Sequence, residues 1–341
     1  MWVCFDTSQG RAAATGISAI LFVLAMGLAA AGCGGSSGTN ENEIAVVGYS
    51  TLGPLYEEVL EPAFKKTPQG KGVTFTNSFG PSTDQSRAVA AGKPASVVTF
   101  AEEGDLERLI EKGELVPSKW HGYELPGFGQ NSTVALIVRK GNPKKLKSLR
   151  DLLSKDVKIV IPNPSSSGAG RWDVMALYGS LLHEGKTQQG ALDAIKAIFE
   201  KTVAQPRSAD DALAAFLQGK GDVLLSYESD GINAKREGKA DYIVPPRTIL
   251  TEAPIAVTKG APPAAKAFVK FIQSDPGQEM LITHGYRPIY TRLVGAHFPT
   301  PPDLFIMIDF GSWKQFNQEF FDEQTGSIAK IEKELGVPTS G

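Results

Sequence analysis

From Ile44 onward the chain alternates short apolar strands with amphipathic helices, and this rhythm constrains its fold more than any other feature. IAVVGYS (44–50) reads as a buried strand, and LYEEVLEPAFKK (55–66) reads as a helix carrying Leu55, Val59, Leu60 and Phe64 on one face. VTFTNSF (73–79), STDQSRAVAAG (82–92), SVVTFA (96–101) and EGDLERLIEKG (103–113) continue the pattern. Strands and helices at this spacing predict an α/β chain, with a mostly parallel sheet and helices on its faces.

The register restarts near Asn131. STVALIVRKGNP is a strand ending in a turn, followed by a helix (LKSLRDLLS) and the strand VKIVIPNP at 157–164. Further helices are expected near 171–183 and 189–202 and at DDALAAFLQG, with strands at 222–227, 241–244 and 254–258. The helix PAAKAFVKFIQS (263–274) then leads back toward the first unit. The expected organisation is a first lobe from 44–130 plus 259–335 and a second lobe from 131–258. Two chain crossings between lobes would form a hinge.

Ahead of the rhythm, residues 12–32 carry no charged side chain, and an apolar core at 17–31 is followed by Gly32, Cys33 and GGSSGTNENE. The apolar run is too short to span a bilayer and precedes small residues, which predicts a signal peptide over 1–32 and a flexible linker over 33–43. Ala30-Ala31-Gly32-Cys33 resembles a lipobox, so Cys33 is expected to carry lipid and tether an exported protein to the outer face of the cell membrane. No cysteine follows Cys33, which excludes a disulfide framework and a cysteine metal site from the rest of the chain. A net charge of −2 provides no basic stripe for nucleic acid, and no later window is apolar enough for a membrane span.

Three segments share one arrangement: a strand ends, a small polar or glycine-rich turn follows, and a helix begins. They are GYSTLG (48–53), FGPSTDQ (79–85) and NPSSSGAGRW (163–172). Each would present unpaired N–H groups and a hydroxyl at a helix N-terminus, where an anion is favoured. Ordinary serine capping explains any one of them. Three together, at the carboxyl ends of strands, point to an oxyanion site. Among aromatics, Tyr49 and Trp172 read as largely core, whereas Tyr227 ends an apolar strand just before ESDG and could turn its hydroxyl into a cleft.

Enzyme motifs fail on spacing. GSLLHEGKT (179–187) has five residues between its glycines where a phosphate loop has four, and it follows a helix. His183-Glu184 lacks the second histidine of a zinc protease, because Thr187 stands there. GPSTD (80–84) lacks the second glycine of a nucleophile elbow. The acidic pairs Glu102-Glu103 and Asp210-Asp211 fall at helix starts, where dipole compensation accounts for them.

At these segments the chain resembles the bacterial sulfate/thiosulfate-binding protein family, from about Ile44 to about Thr325. NPSSSGAGRW is similar to that family's Asn-Pro-x-x-Ser-Gly-Gly-Ala-Arg-Trp loop, GDVLLSYE (221–228) to its Gly-Asp-Val-Leu-x-x-Trp-Glu strand, and HGYRP (284–288) to its Tyr-Tyr-Arg-Pro. The resemblance extends through SFGPSTDQSRAVAAGKPASVVTFA (78–101), especially to lipid-anchored members. It implies a two-lobed periplasmic-binding-protein type II fold that traps sulfate or thiosulfate, needs no cofactor or metal, and delivers its ligand to the permease subunits of an ABC importer.

By position, the resemblance implies hydroxyls from Ser82 and Ser167, main-chain N–H groups from Ser50, Gly168, Ala169 and Ala209, and Tyr227 in the place of an indole donor. Ser50 departs from the usual aspartate, Pro81 and Thr83 replace glycines, and Ala169-Gly170 inverts a glycine-alanine order. A pocket made only of donors would select by proton count, since sulfate offers only acceptors whereas hydrogen phosphate carries a proton, and a buried mismatch costs about 1–3 kcal/mol. The alternatives are another oxyanion such as molybdate in the same fold, an anchored hydrolase using Ser82 or Ser167, and a purely structural lipoprotein.

Overall fold

The computed structural model describes residues 42–120, 122, 126–295 and 297–339; the leader and Cys33 lie outside the described residues. Ten strands are present among them: β1 (Glu43–Tyr49), β2 (Thr74–Gly80), β3 (Val97–Thr99), β4 (Phe128–Val138), β5 (Ile159–Val160), β6 (Thr202–Ala204), β7 (Val223–Tyr227), β8 (Asp241–Ile243), β9 (Arg247–Val257) and β10 (Asp303–Phe305). Their order is β2-β1-β3-β9-β4-β7-β5-β6, with β8 beside β4 and β10 beside β9.

Pairing is parallel at both ends of this path, between β1 and β2, β1 and β3, β5 and β6, and β5 and β7. It turns antiparallel in the middle, where two 11-residue strands change partners along their length. The end of β9 (Ile255–Val257) pairs with β3, and its middle (Leu250–Pro254) pairs with the first half of β4. The second half of β4 (Val134–Val138) pairs with β7. The chain therefore crosses between two sheet halves on β4 and β9. β9 begins at Arg247, well before the expected 254, because Thr248, Thr251 and Glu252 interrupt the apolar run that would have marked it.

Alternation along the strands covers both faces of each half. Val46 and Val47 point into different apolar clusters, as do Leu136 and Ile137. Helices packed on both faces account for strands that are apolar throughout. Phe268, from Pro263–Ile272, lies 4.9 Å from the Phe75 ring and 5.1 Å from Phe64, which seats that helix on the first half.

The segment beyond 300 also reaches the second half. β10 pairs with β9 at Arg247–Ile249, and Glu332 of the Ser327–Glu334 helix accepts a hydrogen bond from Ser165 at 3.2 Å. The rejected glycine motif is helical at Gly179, where an added Cβ would come within 2.6 Å of the Phe305 ring. That glycine serves packing.

Candidate anion-binding site

Five helix starts meet at one small cavity. Ser50 opens a run of helical turns to Lys65, Ser82 opens Ser82–Ala90, and Ala209 opens Ala209–Leu217. Ser167 precedes Gly168–His183, and Tyr227 precedes Glu228–Arg236. Tyr49, Ser50, Pro81, Ser82, Ala101, Ser167, Gly168, Ala169, Ala209 and Tyr227 line a nearly closed cavity of about 10 Å³. That is roughly the room of one water-sized sphere, so only a very small ligand is compatible with it.

All seven residues nominated from the sequence are thus brought together. None of the lining side chains is charged. First-turn N–H groups have no partner within their own helix, and each helix end carries roughly +0.5 of effective charge, so the converging ends approach the charge of a dianion. Among the described residues no group of His, Cys, Asp and Glu is arranged to hold a metal. His183 and His284 are engaged elsewhere, with Asp303 and the Met280 carbonyl.

The serines differ in what they can offer. Ser82 Oγ donates to Asp105 Oδ2 at 2.7 Å and accepts the Ala101 N–H at 2.9 Å, while Arg108 pairs the other Asp105 oxygen at 2.8 Å. Its hydroxyl proton is therefore engaged, contrary to the expectation that it faces the ligand, and the backbone N–H is what Ser82 has left to give. Ser167 makes no side-chain bond to its own helix, so its hydroxyl is not used as a cap.

Tyr227 carries the clearest sign of a missing acceptor. Its Oη is buried and has no hydrogen-bond partner. Burial pushes this hydroxyl further up from its already high range, as it does for Tyr49, so both remain protonated donors at neutral pH. The two rings sit 5.9 Å apart, and Tyr49 Oη accepts from Gln130 at 3.0 Å.

Two separate sequence segments converge to hold Tyr227. Glu228, the next residue, is bonded by Arg287 Nε at 2.5 Å, with both side chains about 2 % exposed. Arg287 is fixed in turn by reciprocal backbone bonds with Asn131, each 2.8 Å. Tyr286 donates to the Thr51 carbonyl at 2.8 Å, beside Ser50.

The second-half loop 163–172 closes on the first half. Trp172 Nε1 donates to the Ala101 carbonyl at 2.7 Å, Arg171 pairs with Glu102 at 2.7 Å, and the Thr83 N–H donates to the Ser166 carbonyl at 3.2 Å. Glu102 also caps its own helix at Gly104, which gives half of one acidic pair a structural role; in the other pair Asp211 bonds Ser208 at 2.8 Å. An added Cβ at Gly170 would meet the Pro162 carbonyl at 2.2 Å, so this chain needs its glycine at 170, which explains the inverted Ala169-Gly170 order. Sequence reasoning missed three wall residues, Tyr49, Pro81 and Ala101, and the support from Asp105. Only Tyr49 carried a signal, as the aromatic next to Ser50.

The model of the bacterial extracellular solute-binding protein family matches residues 44–287. A sulfate-binding protein of Synechococcus elongatus is 33% identical over 315 residues, which cover 86% of this chain and 89% of that protein. A thiosulfate-binding protein of Pseudomonas aeruginosa is 31% identical over 317 residues, covering 88% and 94%. The solved structure of the sulfate-binding protein SubI from Mycobacterium tuberculosis H37Rv superposes with a TM-score of 0.78 at 34% identity, covering 82% of this chain and 100% of that one. The fold is the mixed α/β fold of periplasmic binding proteins, a central sheet flanked by helices whose two halves are joined through β4 and β9. On sequence and fold together, the chain belongs to the bacterial extracellular solute-binding protein family.

Proposed function

We propose that the chain is the extracytoplasmic solute-binding component of an ABC importer, and that it captures sulfate between its lobes and presents it to the permease. The carrying observation is a cavity with no charged side chain, ringed by helix starts and by a buried Tyr227 hydroxyl without an acceptor. In this reading the amides of Ser50, Ser82, Gly168, Ala169 and Ala209, the Ser167 hydroxyl and Tyr227 Oη hold the oxygens. Lobe 1 is 44–130 with 259–335 and lobe 2 is 131–258, and closure brings Ser167 and Tyr227 over Ser50 and Ser82. Lipid on Cys33 tethers the protein to the outer face of the membrane. No covalent step is assigned, because neither Ser82 nor Ser167 has a histidine base among the described lining residues.

Donors alone favour a fully deprotonated tetrahedral dianion, because a ligand proton would face another donor. Thiosulfate is the second reading, supported by the thiosulfate-binding relative and by a tyrosine where a larger indole is usual. Calorimetric titration with sulfate, thiosulfate, molybdate and phosphate tests both. Heat with sulfate and none with phosphate is expected; a stronger response to thiosulfate would exchange the two readings, and silence with all four would end them.

A further inference from the structure

Behind the cavity lies a carboxyl group that the anion-holding residues do not use. Asp173 stands one turn beyond Ala169 on the Gly168–His183 helix, so the two share a face. It is 1% exposed, and neither carboxyl oxygen finds a hydrogen-bond partner. The titratable groups facing it are Tyr227, at the end of β7, and Asp230, on the helix that follows. Asp230 accepts from Ser226 at 2.6 Å and offers no positive charge. Arg171, on the same helix, is turned away to Glu102 and the Pro164 carbonyl. Asp210, exposed and beside the lining residue Ala209, adds its negative charge to the surroundings of Asp230.

A carboxylate at Asp173 would be dry, without a counter-ion, and one helical turn from the cavity wall at Ala169. Burial first, then repulsion from Asp230, hold this acid well above the usual carboxylate range. The neutral acid leaves the field of the helix ends intact.

We infer that anion capture is coupled to the protonation of Asp173, so that the neutral acid admits the dianion and its ionisation drives the dianion out. The inference rests on the oxyanion reading above. Bound anion and ionised Asp173 repel each other, so binding draws a proton onto the acid. Affinity is therefore flat below the titration of the free protein and falls as pH rises through it, with Kd increasing by up to about tenfold per pH unit, the limit for one proton. Asp230, pushed up to about 7 by burial, supplies the repulsion that adds to burial at Asp173.

The test is calorimetry of the full chain with sulfate between pH 5.5 and 9, in pairs of buffers that differ in ionisation heat. The wild type should take up a fraction of a proton on binding over the same pH range in which its Kd rises. Asp173→Asn should bind like the wild type at pH 5.5 and lose both the uptake and the rise. A wild type that binds with no proton uptake and a flat Kd overturns the coupling, as does an Asp173→Asn variant that keeps the slope. Should Asp173→Asn not fold, Asp230→Asn decides instead. Removing its repulsion should move the fall in affinity to lower pH, and an unmoved midpoint overturns the coupling. No sulfate binding by the wild type at pH 5.5 overturns the oxyanion reading itself.

Discussion

Gly168 lies so close to Ala101 that a Cβ added at Gly168 would stand 2.3 Å from the Ala101 methyl. Gly168 opens the Gly168–His183 helix, Ala101 follows β3, and both line the candidate anion cavity. In the proposed closure of the lobes this contact depends on the absence of one carbon. Gly168→Ala should hold the lobes apart at a cost of about 1–3 kcal/mol, a loss of roughly five- to 150-fold in anion affinity. Calorimetry reads the affinity and small-angle scattering reads the opening; unchanged values for both would show that this contact does not govern closure.

Tyr227→Phe removes one oxygen and leaves the ring that packs near Tyr49. A hydrogen bond to a charged group is worth about 1.5–3 kcal/mol, so sulfate should bind roughly ten- to a hundredfold more weakly. The unliganded protein should be no less stable, because the lost hydroxyl has no partner there. Full affinity in Tyr227→Phe would remove Tyr227 from the set of donors.

The two serines should separate stability from binding. Ser82→Ala strips Asp105 and the Ala101 N–H of a buried partner, and a buried group left unsatisfied costs about 1–3 kcal/mol of stability. Ser167→Ala should leave the melting temperature in place and weaken the anion, since its hydroxyl caps nothing in its own helix. Melting curves and titrations of both variants test the contrast, and the reverse pattern would refute it.

Stability should decline from mildly acidic to neutral pH. Burial pushes Glu61, Asp230 and Glu332 each up to about 7 in the folded protein. The folded chain then holds protons that the unfolded chain has already released, so stability is lost as pH rises from the ordinary carboxylate range toward 7. One pKa unit of net shift corresponds to about 1.4 kcal/mol, enough to lower Tm by a few degrees. Thermal unfolding without ligand at pH 5.5 and pH 7.5 measures this; a higher Tm at pH 7.5 would contradict it.

Much of this site was readable from chain order. Ser50, Ser82, Ser167, Gly168 and Ala169 sit where a strand ends and a helix starts, an arrangement that leaves a local trace of glycine, serine and proline. Tyr227 is legible as the aromatic that ends an apolar strand just before ESDG, whereas Ala209 came only with the resemblance. Ala101 was invisible because an alanine after a strand carries no chemistry of its own, and its place in the cavity depends on Gly168, 67 residues away in sequence. The bond that engages Ser82 links it to Asp105 across 23 residues, and no periodicity records it. β9 was cut short in the sequence reading because its buried threonines look polar, although Thr248 donates to the Val134 carbonyl at 2.7 Å inside the fold.

The central claim is that a dianion is held in this cavity by neutral donors alone. A crystal of the protein grown with selenate, a heavier tetrahedral dianion, locates the anion directly through its anomalous signal. One strong peak is expected within hydrogen-bond distance of the amides of Ser82, Gly168 and Ala169 and of Tyr227 Oη, with no lysine or arginine nitrogen touching it. A vacant cavity, or a peak seated on arginine or lysine side chains elsewhere, would contradict the account.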